Sequence, residues 1–164
     1  MKTLFLPLAV LVVFLSAAAA WAQEEELLNE SVQAVEKQSL EPGGESAVIN
    51  GLEDVFGVEK ATIDSLTKRG LGLGDAAAVL AMAEKMPGSI IDANVEDIMT
   101  MRQGEPGKAD RDWGTVATML GLPPGPVASR IQEVGKASMD IAKGVRESPV
   151  RKTCGTYCLP PWEY

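Results

Sequence analysis

Apolar residues recur every three or four positions along most of this chain, which is the spacing of one face of an α-helix. The stretch 24–40 shows this pattern first and predicts a helix that ends before Pro42-Gly43-Gly44. Leu28, Val32, Val35 and Ser39 fall on one face of this predicted helix. Three acidic residues, 24–26, fall in the first turn of this predicted helix, where the helix dipole favours negative charge.

Short helices separated by glycine are predicted from residue 46 to residue 122. One apolar stripe consists of Ala47, Val48, Leu52, Val55 and Phe56, and the next consists of Ile63 and Leu66, before Arg69-Gly70. The segment 76–86 is apolar nearly throughout and rich in alanine. We expect it to be the central helix, because small side chains let neighbouring helices approach closely.

A helix–glycine–helix pattern occurs twice and predicts two helical hairpins related by a pseudo-repeat. The first copy holds Ile63, Leu66, Gly70, Leu73-Gly74, Ala77 and Leu80, and the second holds Ile98, Met101, Gly104, Trp113-Gly114, Ala117 and Leu120. The predicted structural-turn residues are Gly70, Gly72, Gly74, Trp113 and Gly114. The alternative is that any two amphipathic helices with glycine turns align this well.

A C-terminal helix is predicted over about residues 126–146, beginning at Pro126 after a proline-rich turn. Its predicted apolar face consists of Val127, Ile131, Val134, Ile141 and Val145. Together the patterns predict an all-α fold, a small bundle of about six to seven short helices with the hairpin pseudo-repeat and this longer C-terminal helix. We expect a single helical domain over 23–147 and a tail over 148–164 rich in cysteine, proline and aromatic residues.

The first 22 residues predict a secretory signal peptide. Lys2 is basic, the run from residue 4 to residue 20 is almost wholly apolar, and Ala20-Trp21-Ala22 fits a signal-peptidase site. Cleavage after Ala22 would place the protein in the periplasm or outside the cell. The alternative is an uncleaved membrane anchor, since about 17 apolar residues nearly suffice to span a bilayer.

The charge balance and the lack of histidine remove several function classes. The net charge is −8 at pH 7, and −9 without the first 22 residues, because these hold one lysine and no acidic residue. We therefore expect no nucleic-acid partner, and membrane contact only through the signal peptide. The chain has no histidine, which excludes Ser-His-Asp triads and His-ligated metal sites. We expect no cofactor and no enzyme activity, although an enzyme that works through paired carboxylates stays open.

Cys154 and Cys158 are the two cysteines of the chain, and in an oxidising compartment they predict a disulfide that closes a small loop. The Cys-x-x-x-Cys pair also resembles the copper-binding pair of periplasmic copper chaperones. The chain departs from them in having no histidine ligand and no βαβ pattern. A thiol or copper site at these residues is therefore an alternative function.

Three further patterns carry weaker predictions. The glycines of 70–74 precede a helix, as in phosphate-binding loops, but no strand precedes them, so we expect a turn between helices. The acidic residues of 110–112 and 24–26 lack EF-hand spacing, and solvated charges are expected there. Asn29-Glu30-Ser31 fits a glycosylation sequon, which matters only in a eukaryotic source.

The aromatic residues of the tail are candidate docking residues. Tyr157, Trp162 and Tyr164 accompany Pro160-Pro161, and such a segment is suited to an apolar groove of a partner protein. The alternative is that the tail folds back on its own domain, with Trp162 covering an apolar patch.

The stretch 113–122, followed by Val127, resembles a helix-turn-helix, with Ala117 inside the first helix and Gly121 at the turn. The proline-rich turn 123–126 is longer and stiffer than the turn of that motif. The second helix of the resemblance has a face of mixed charge, so the resemblance implies helix packing and not DNA binding.

The region 51–135 also resembles uncharacterised exported bacterial small helical proteins with repeated helix–Gly-turn–helix units. The matching stretches are 69–75 and Arg102 with Asp112-Trp113-Gly114, within about half of the chain. This resemblance implies an exported helical protein and brings no activity with it.

These observations predict an exported non-enzymatic helical protein that acts by protein–protein interaction or as a structural component of the envelope. The partner protein is not identified by the sequence, and the oligomeric state stays open. One alternative is the thiol or copper site at Cys154 and Cys158. The other is an envelope-associated protein that contacts lipid or peptidoglycan.

Overall fold

The computed structural model describes residues 6–104 and 109–145, and their side chains from residue 21 onward. These residues form seven α-helices and no strand, which confirms the predicted all-α fold. The helices are α1 (Leu6–Ser39), α2 (Gly44–Phe56), α3 (Lys60–Lys68), α4 (Leu73–Lys85), α5 (Asp92–Gln103), α6 (Trp113–Met119) and α7 (Pro124–Ala142).

Helix α1 is the longest helix of the described residues. In the uncleaved chain it runs without a break over 34 residues, so the acidic run 24–26 lies in mid-helix, and only the cleavage predicted after Ala22 would place this run in a first turn. Two of these carboxylates contact the neighbouring helices. Glu24 Oε2 accepts a hydrogen bond from the Gly125 amide at 3.3 Å, and Glu25 Oε1 accepts one from Thr118 Oγ1 at 2.7 Å.

Helix α4 is the centre of the bundle, as its alanine-rich sequence predicts. Ten of its residues are buried, and it packs against α1, α2, α3, α5 and α7. The alanines leave room for neighbours on every side, while Val79, Leu80 and Met82 fill the space between them, each with no exposed surface. The apolar face of α1 closes this core with Leu28 and Val35.

The two predicted hairpins correspond to α3–α4 and α5–α6. In each, the first helix ends next to a glycine with positive φ, Gly70 at 89° and Gly104 at 67°, a conformation that glycine adopts without strain. The second helices begin at Leu73 and Trp113, the two positions aligned in the sequence. Residues 105–108 of the second, longer connection lie outside the described part of the chain.

Helix α7 differs from its prediction at both ends. It begins at Pro124, two residues early, and ends at Ala142, four residues early. The early end follows from Gly144, whose φ of 69° reverses the chain. Val127, Ile131 and Val134 are fully buried as predicted, whereas Val145, predicted on the same face, is 76% exposed because the helix has already ended.

Candidate functional site

An open concave surface lies between α1 and α7, and we call it the α1/α7 groove. It has a volume of about 1010 Å³ and is open to solvent along one side. Its apolar part is formed by Leu27, Ala34, Val35, Ala47, Met139 and Ala142. Its charged rim is formed by Glu30, Lys37, Glu41, Lys136 and Lys143.

The groove exists because two parallel helices meet through small residues. Three contacts fix the register of the helices: Glu24 with Gly125, Ser31 with Gln132, and Val35 with Gly135. On the solvent side of this contact, Ala34, Gly135 and Ala142 are too small to fill the space between the helices. An open volume therefore remains above a tightly packed helix pair.

Two large apolar side chains in the groove are accessible to solvent. Leu27 is 40% exposed and Met139 is 47% exposed. Leu40 directly follows the last residue of α1 and is 79% exposed. Val145 lies close to the C-terminal end of α7 and is 76% exposed. Trp21, Ile91 and Met119 are also exposed, but they lie outside the groove, whereas Leu27 and Met139 share one concave surface, which is typical of a binding site.

The rim of the groove carries more positive than negative charge, in contrast to the chain as a whole. Lys37, Lys136 and Lys143 are exposed, and none of them forms an ion pair with another described residue. The full chain has a net charge of −8. The groove is therefore suited to an apolar ligand that also carries an acidic group.

The predicted tail residues lie outside the described part of the chain. These residues are Cys154, Tyr157, Cys158, Trp162 and Tyr164. The disulfide, the alternative copper or thiol site and the docking role of the aromatic residues all stay predictions.

The predicted turn residues fall into two groups. Gly70 and Gly72 lie between α3 and α4, whereas Gly74, Trp113 and Gly114 lie inside the first turns of α4 and α6. Gly74 and Gly114 are needed for close packing against α1. A Cβ atom at Gly114 would lie 2.6 Å from the Glu25 Cβ, and one at Gly74 would overlap the Val32 carbonyl oxygen.

The N-terminus of α4 is occupied by a carboxylate from α1. Glu36 Oε2 accepts a hydrogen bond from the Gly74 amide at 2.8 Å, and a Cβ at Gly72 would meet the same carboxylate. This carboxylate sits where an anion would bind at a helix N-terminus. The glycine-rich segment therefore acts as a packed turn between helices, in line with the prediction for 70–74.

The N-terminus of α6 is held by Asn29 in a similar way. Asn29 Oδ1 accepts a hydrogen bond from the Trp113 amide at 2.9 Å, and its Nδ2 donates to Asp112 Oδ1 at 3.2 Å. Both polar atoms of the Asn29 side chain, the acceptor position of the sequon, thus form hydrogen bonds within the protein, and Ser31 is buried. Sequence reasoning missed this role because the partners lie more than 80 residues apart along the chain.

Asp112 is exposed, in line with the expectation of a solvated charge, and its side chain also caps the N-terminus of α6. Its carboxylate accepts hydrogen bonds from the Thr115 amide at 2.9 Å and from Thr115 Oγ1 at 2.7 Å. Partial burial raises the pKa of the Asp112 carboxyl, but the hydrogen bonds from Thr115 and Asn29 outweigh it and hold the pKa below its ordinary value.

Trp113 joins the two hairpins. Its ring is buried, its Nε1 donates to Asp75 Oδ1 at 2.7 Å, and the Arg102 guanidinium lies 4.6 Å from the ring centre. Asp75 and Arg102 belong to different hairpins, so the indole connects both to the start of α6. These polar contacts are all satisfied within the fold, which indicates a structural role for this tryptophan.

An ion pair between α4 and α7 was not predicted from the sequence. Arg130 donates from Nε to Glu84 Oε2 at 2.9 Å and from Nη2 to Oε1 at 2.8 Å. Nη2 also donates to the Val55 carbonyl oxygen at 2.7 Å, and the guanidinium lies 5.4 Å from the Phe56 ring centre. Arg130 of α7 thereby links α2 and α4 to its own helix and contributes to the stability of the fold.

The hydrogen bonds from Arg130 hold the pKa of the Glu84 carboxyl below its ordinary value, although partial burial acts in the opposite direction.

Within residues 6–104 and 109–145, no group of three or more acidic, cysteine or histidine side chains is arranged to hold a metal ion. Among the described helices, none combines the length and the apolar character needed to cross a membrane.

Comparison of the chain with protein-family models, with curated proteins and with solved structures found no match.

Proposed function

We propose that this protein is an exported, non-enzymatic helical protein that binds another polypeptide through the α1/α7 groove. The observation that carries the proposal is the groove itself, an open volume of about 1010 Å³ on an otherwise closely packed bundle. Leu27 and Met139 stay accessible there although apolar side chains are buried elsewhere in the core. A folded protein that leaves such a surface open gains nothing in stability from it, which favours a binding role.

The chemistry of the groove describes the ligand. Leu27, Ala34 and Met139 offer an apolar strip, and methionine adapts its shape to different partners. The lysines of the rim, at 37, 136 and 143, favour acidic groups beside the apolar side chains of the ligand. The proposed ligand is therefore a polypeptide segment with apolar or aromatic anchors and at least one acidic residue.

Export is the second part of the proposal and rests on residues 1–22. The basic start, apolar run and Ala-x-Ala site of these residues match the three parts of a signal peptide. We expect N-terminal sequencing of the protein isolated from its own cells to begin at Gln23. A sequence that begins at Met1 would contradict export by cleavage after Ala22.

Site-specific photo-crosslinking tests the binding role. The full chain is produced in its own cells with p-benzoylphenylalanine in place of Met139, or in place of Met119 as the matched control. Met119 is 51% exposed, close to the 47% of Met139, but it does not line the groove. We expect a defined protein adduct from position 139 and not from position 119, with the crosslinked peptide mapped by mass spectrometry.

The mapped segment is then synthesised and its affinity for the full chain is measured. We expect Met139→Glu to weaken binding about tenfold or more, because a charge enters the apolar strip, and Met119→Glu to leave binding unchanged. Equal binding by the two variants, or equal adducts from positions 119 and 139, would contradict the proposed function.

A further inference from the structure

We infer that the α1/α7 groove is covered in the free protein by the chain's own C-terminal segment, residues 146–164. The inference rests on the proposed function, since it concerns the same surface and describes its regulation. The segment acts as an internal ligand that an external partner must displace. Three observations carry the inference: where the segment begins, how far it reaches and which side chains it brings.

The segment begins at the edge of the groove. Ala142 and Lys143, at the C-terminal end of α7, line the groove directly. Beyond them the chain turns back on the helix: Gly144 has a φ of 69°, and the Val145 amide donates to the Asp140 carbonyl oxygen at 2.9 Å. Residue 146 therefore follows a reversal in chain direction beside the groove.

The segment is long enough to follow the groove from end to end. Between Leu27 and Gln38 of α1, both of which line the groove, the helix axis spans about 17 Å. Nineteen residues follow Val145, and an extended chain of this length reaches about 60 Å. The reach suffices even if the predicted bridge between Cys154 and Cys158 shortens the path.

The segment carries side chains that complement the groove. Trp162 and Tyr164 provide flat apolar rings for the exposed Leu27 and Met139, and aromatic rings pack favourably against methionine sulfur. Glu163 lies between these rings in the sequence and is opposite in charge to the rim lysines, while the basic residues at 146, 151 and 152 of the segment are opposite in charge to Glu30 and Glu41 of the rim. Pro160-Pro161 has no backbone N–H groups, so it covers an apolar surface without burying unpaired donors.

Photo-crosslinking of the purified full chain tests this inference directly. Protein with p-benzoylphenylalanine at position 139 is mixed in equal parts with an isotope-labelled copy and irradiated in the absence of other proteins. We expect crosslinks within one chain to residues 146–164, and markedly fewer of them when Trp162→Ala and Tyr164→Ala are combined. Position 119 is the control.

Three results would overturn the inference. The first is crosslinks that join labelled to unlabelled chains, which would indicate a second copy in the groove. The second is crosslinks only to residues outside 146–164, and the third is a yield no higher than that from position 119. Each result concerns the isolated protein, so each is independent of whether an external partner exists.

The affinity of the mapped partner peptide separates this inference from the proposed function. If the segment covers the groove in about 90% of molecules, Trp162→Ala combined with Tyr164→Ala will tighten peptide binding by about tenfold. If these substitutions leave the affinity unchanged while Met139→Glu still weakens binding, the inference fails and the proposed function stands. If Met139→Glu has no effect on peptide binding, the proposed function fails.

Discussion

Single glycines set how closely the helices approach one another. Gly51 of α2 faces α7, where an added Cβ would lie 3.1 Å from the Val134 carbonyl oxygen and would overlap the Ser138 hydroxyl. Gly135 of α7 faces α1 more loosely, because its nearest neighbours would lie at 3.7 and 3.8 Å, which is ordinary contact. The two positions therefore respond to the same substitution in opposite directions.

We expect Gly51→Ala to lower the free energy of unfolding by about 1–3 kcal/mol, because the new methyl group forces α2 away from α7. We expect Gly135→Ala to raise it by about 0.5–1 kcal/mol, because alanine is the better helix former and has room there. Urea unfolding followed by circular dichroism measures both values. Equal destabilisation by the two variants would contradict the packing described for α2 and α7.

The Arg130–Glu84 pair makes stability depend on pH in a definite direction. The hydrogen bonds from Arg130 lower the pKa of the Glu84 carboxyl in the folded protein from its ordinary 4.5. Because the folded-state pKa is the lower one, the pair stabilises the protein above pH 4.5, and this stabilisation is lost as the pH falls through the folded-state pKa. Asp112, whose pKa is also lowered, acts in the same direction.

We expect Glu84→Gln to destabilise the protein at neutral pH and to flatten the loss of stability in acid. Glu96→Gln is the control, since Glu96 also pairs with an arginine but is 65% exposed and so contributes little. The free energy of unfolding is measured by urea titration from neutral pH to about pH 3. If the free energy of unfolding fell as steeply with decreasing pH in Glu84→Gln as in the unchanged protein, the Arg130–Glu84 pair would not be the cause of the pH dependence.

At the level of elements, one helix positions the starts of three others. Glu24, Asn29 and Glu36 of α1 accept hydrogen bonds from backbone amides in the first turns of α7, α6 and α4, respectively. The first amides of a helix have no partner within the helix, so these side chains satisfy donors that would otherwise need water or a local cap. Helix α1 thus fixes both the positions and the ends of its neighbours.

We expect Glu36→Ala to lower the free energy of unfolding by about 1 kcal/mol, because the Gly74 amide loses its acceptor. Local opening of α4 at its N-terminus will make the Gly74 amide exchange faster with solvent, which nuclear magnetic resonance measures residue by residue. Glu26→Ala, at an exposed position of the same helix, is the matched control and should change neither quantity. Unchanged Gly74 exchange in Glu36→Ala would show that this cap is dispensable.

The helices themselves were predictable, because their apolar spacing is local information. The buried faces of α1 and α7 and the glycine turns near residues 70 and 104 follow from residues a few positions apart. The C-terminal end of α7 was misjudged, since the apolar spacing continues to Val145 and does not show that Gly144 ends the helix.

The caps and the groove depend on which helices become neighbours, and the pattern does not contain this information. In the sequence, Asn29 and Glu36 have the pattern of ordinary polar helix residues. Their capping roles follow only from the packing of α6 and α4 against α1. The Arg130–Glu84 pair joins residues 46 positions apart. Likewise, Met139 and Leu27 line one groove because α1 and α7 run parallel, an arrangement that neither segment predicts alone.

For the molecule as a whole, α1 separates two kinds of surface. One side of the helix, with Leu28 and Val32, closes the core, while Leu27 and Ala34 face the groove, and the buried Val35 lies at the border between the two. Adjacent residues therefore serve stability and the proposed binding role separately. A substitution in the groove should change binding without unfolding the protein, and a substitution on the core side should unfold the bundle.

Leu28→Ala tests how far the bundle depends on α1. Leu28 is fully buried, so we expect its truncation to lower the free energy of unfolding by about 2–5 kcal/mol through lost apolar contact and a residual cavity. Met119→Ala, at a side chain that is 51% exposed, should change stability by less than about 0.5 kcal/mol. Since α1 packs against α2, α4, α6 and α7, the loss should reach every helix at once.

Two probes distinguish this global loss from the fraying of α1 alone. Far-ultraviolet circular dichroism follows all helices, while the near-ultraviolet tryptophan signal, measured with Trp21→Phe and Trp162→Phe so that it comes from the buried Trp113, follows the α4–α6 contact. We expect the two melting curves of Leu28→Ala to coincide and to shift together to lower temperature, since a single core connects both regions. An unshifted Trp113 transition with a lowered helical transition would mean that α1 unfolds independently, and α1 would then not be the helix that organises the bundle.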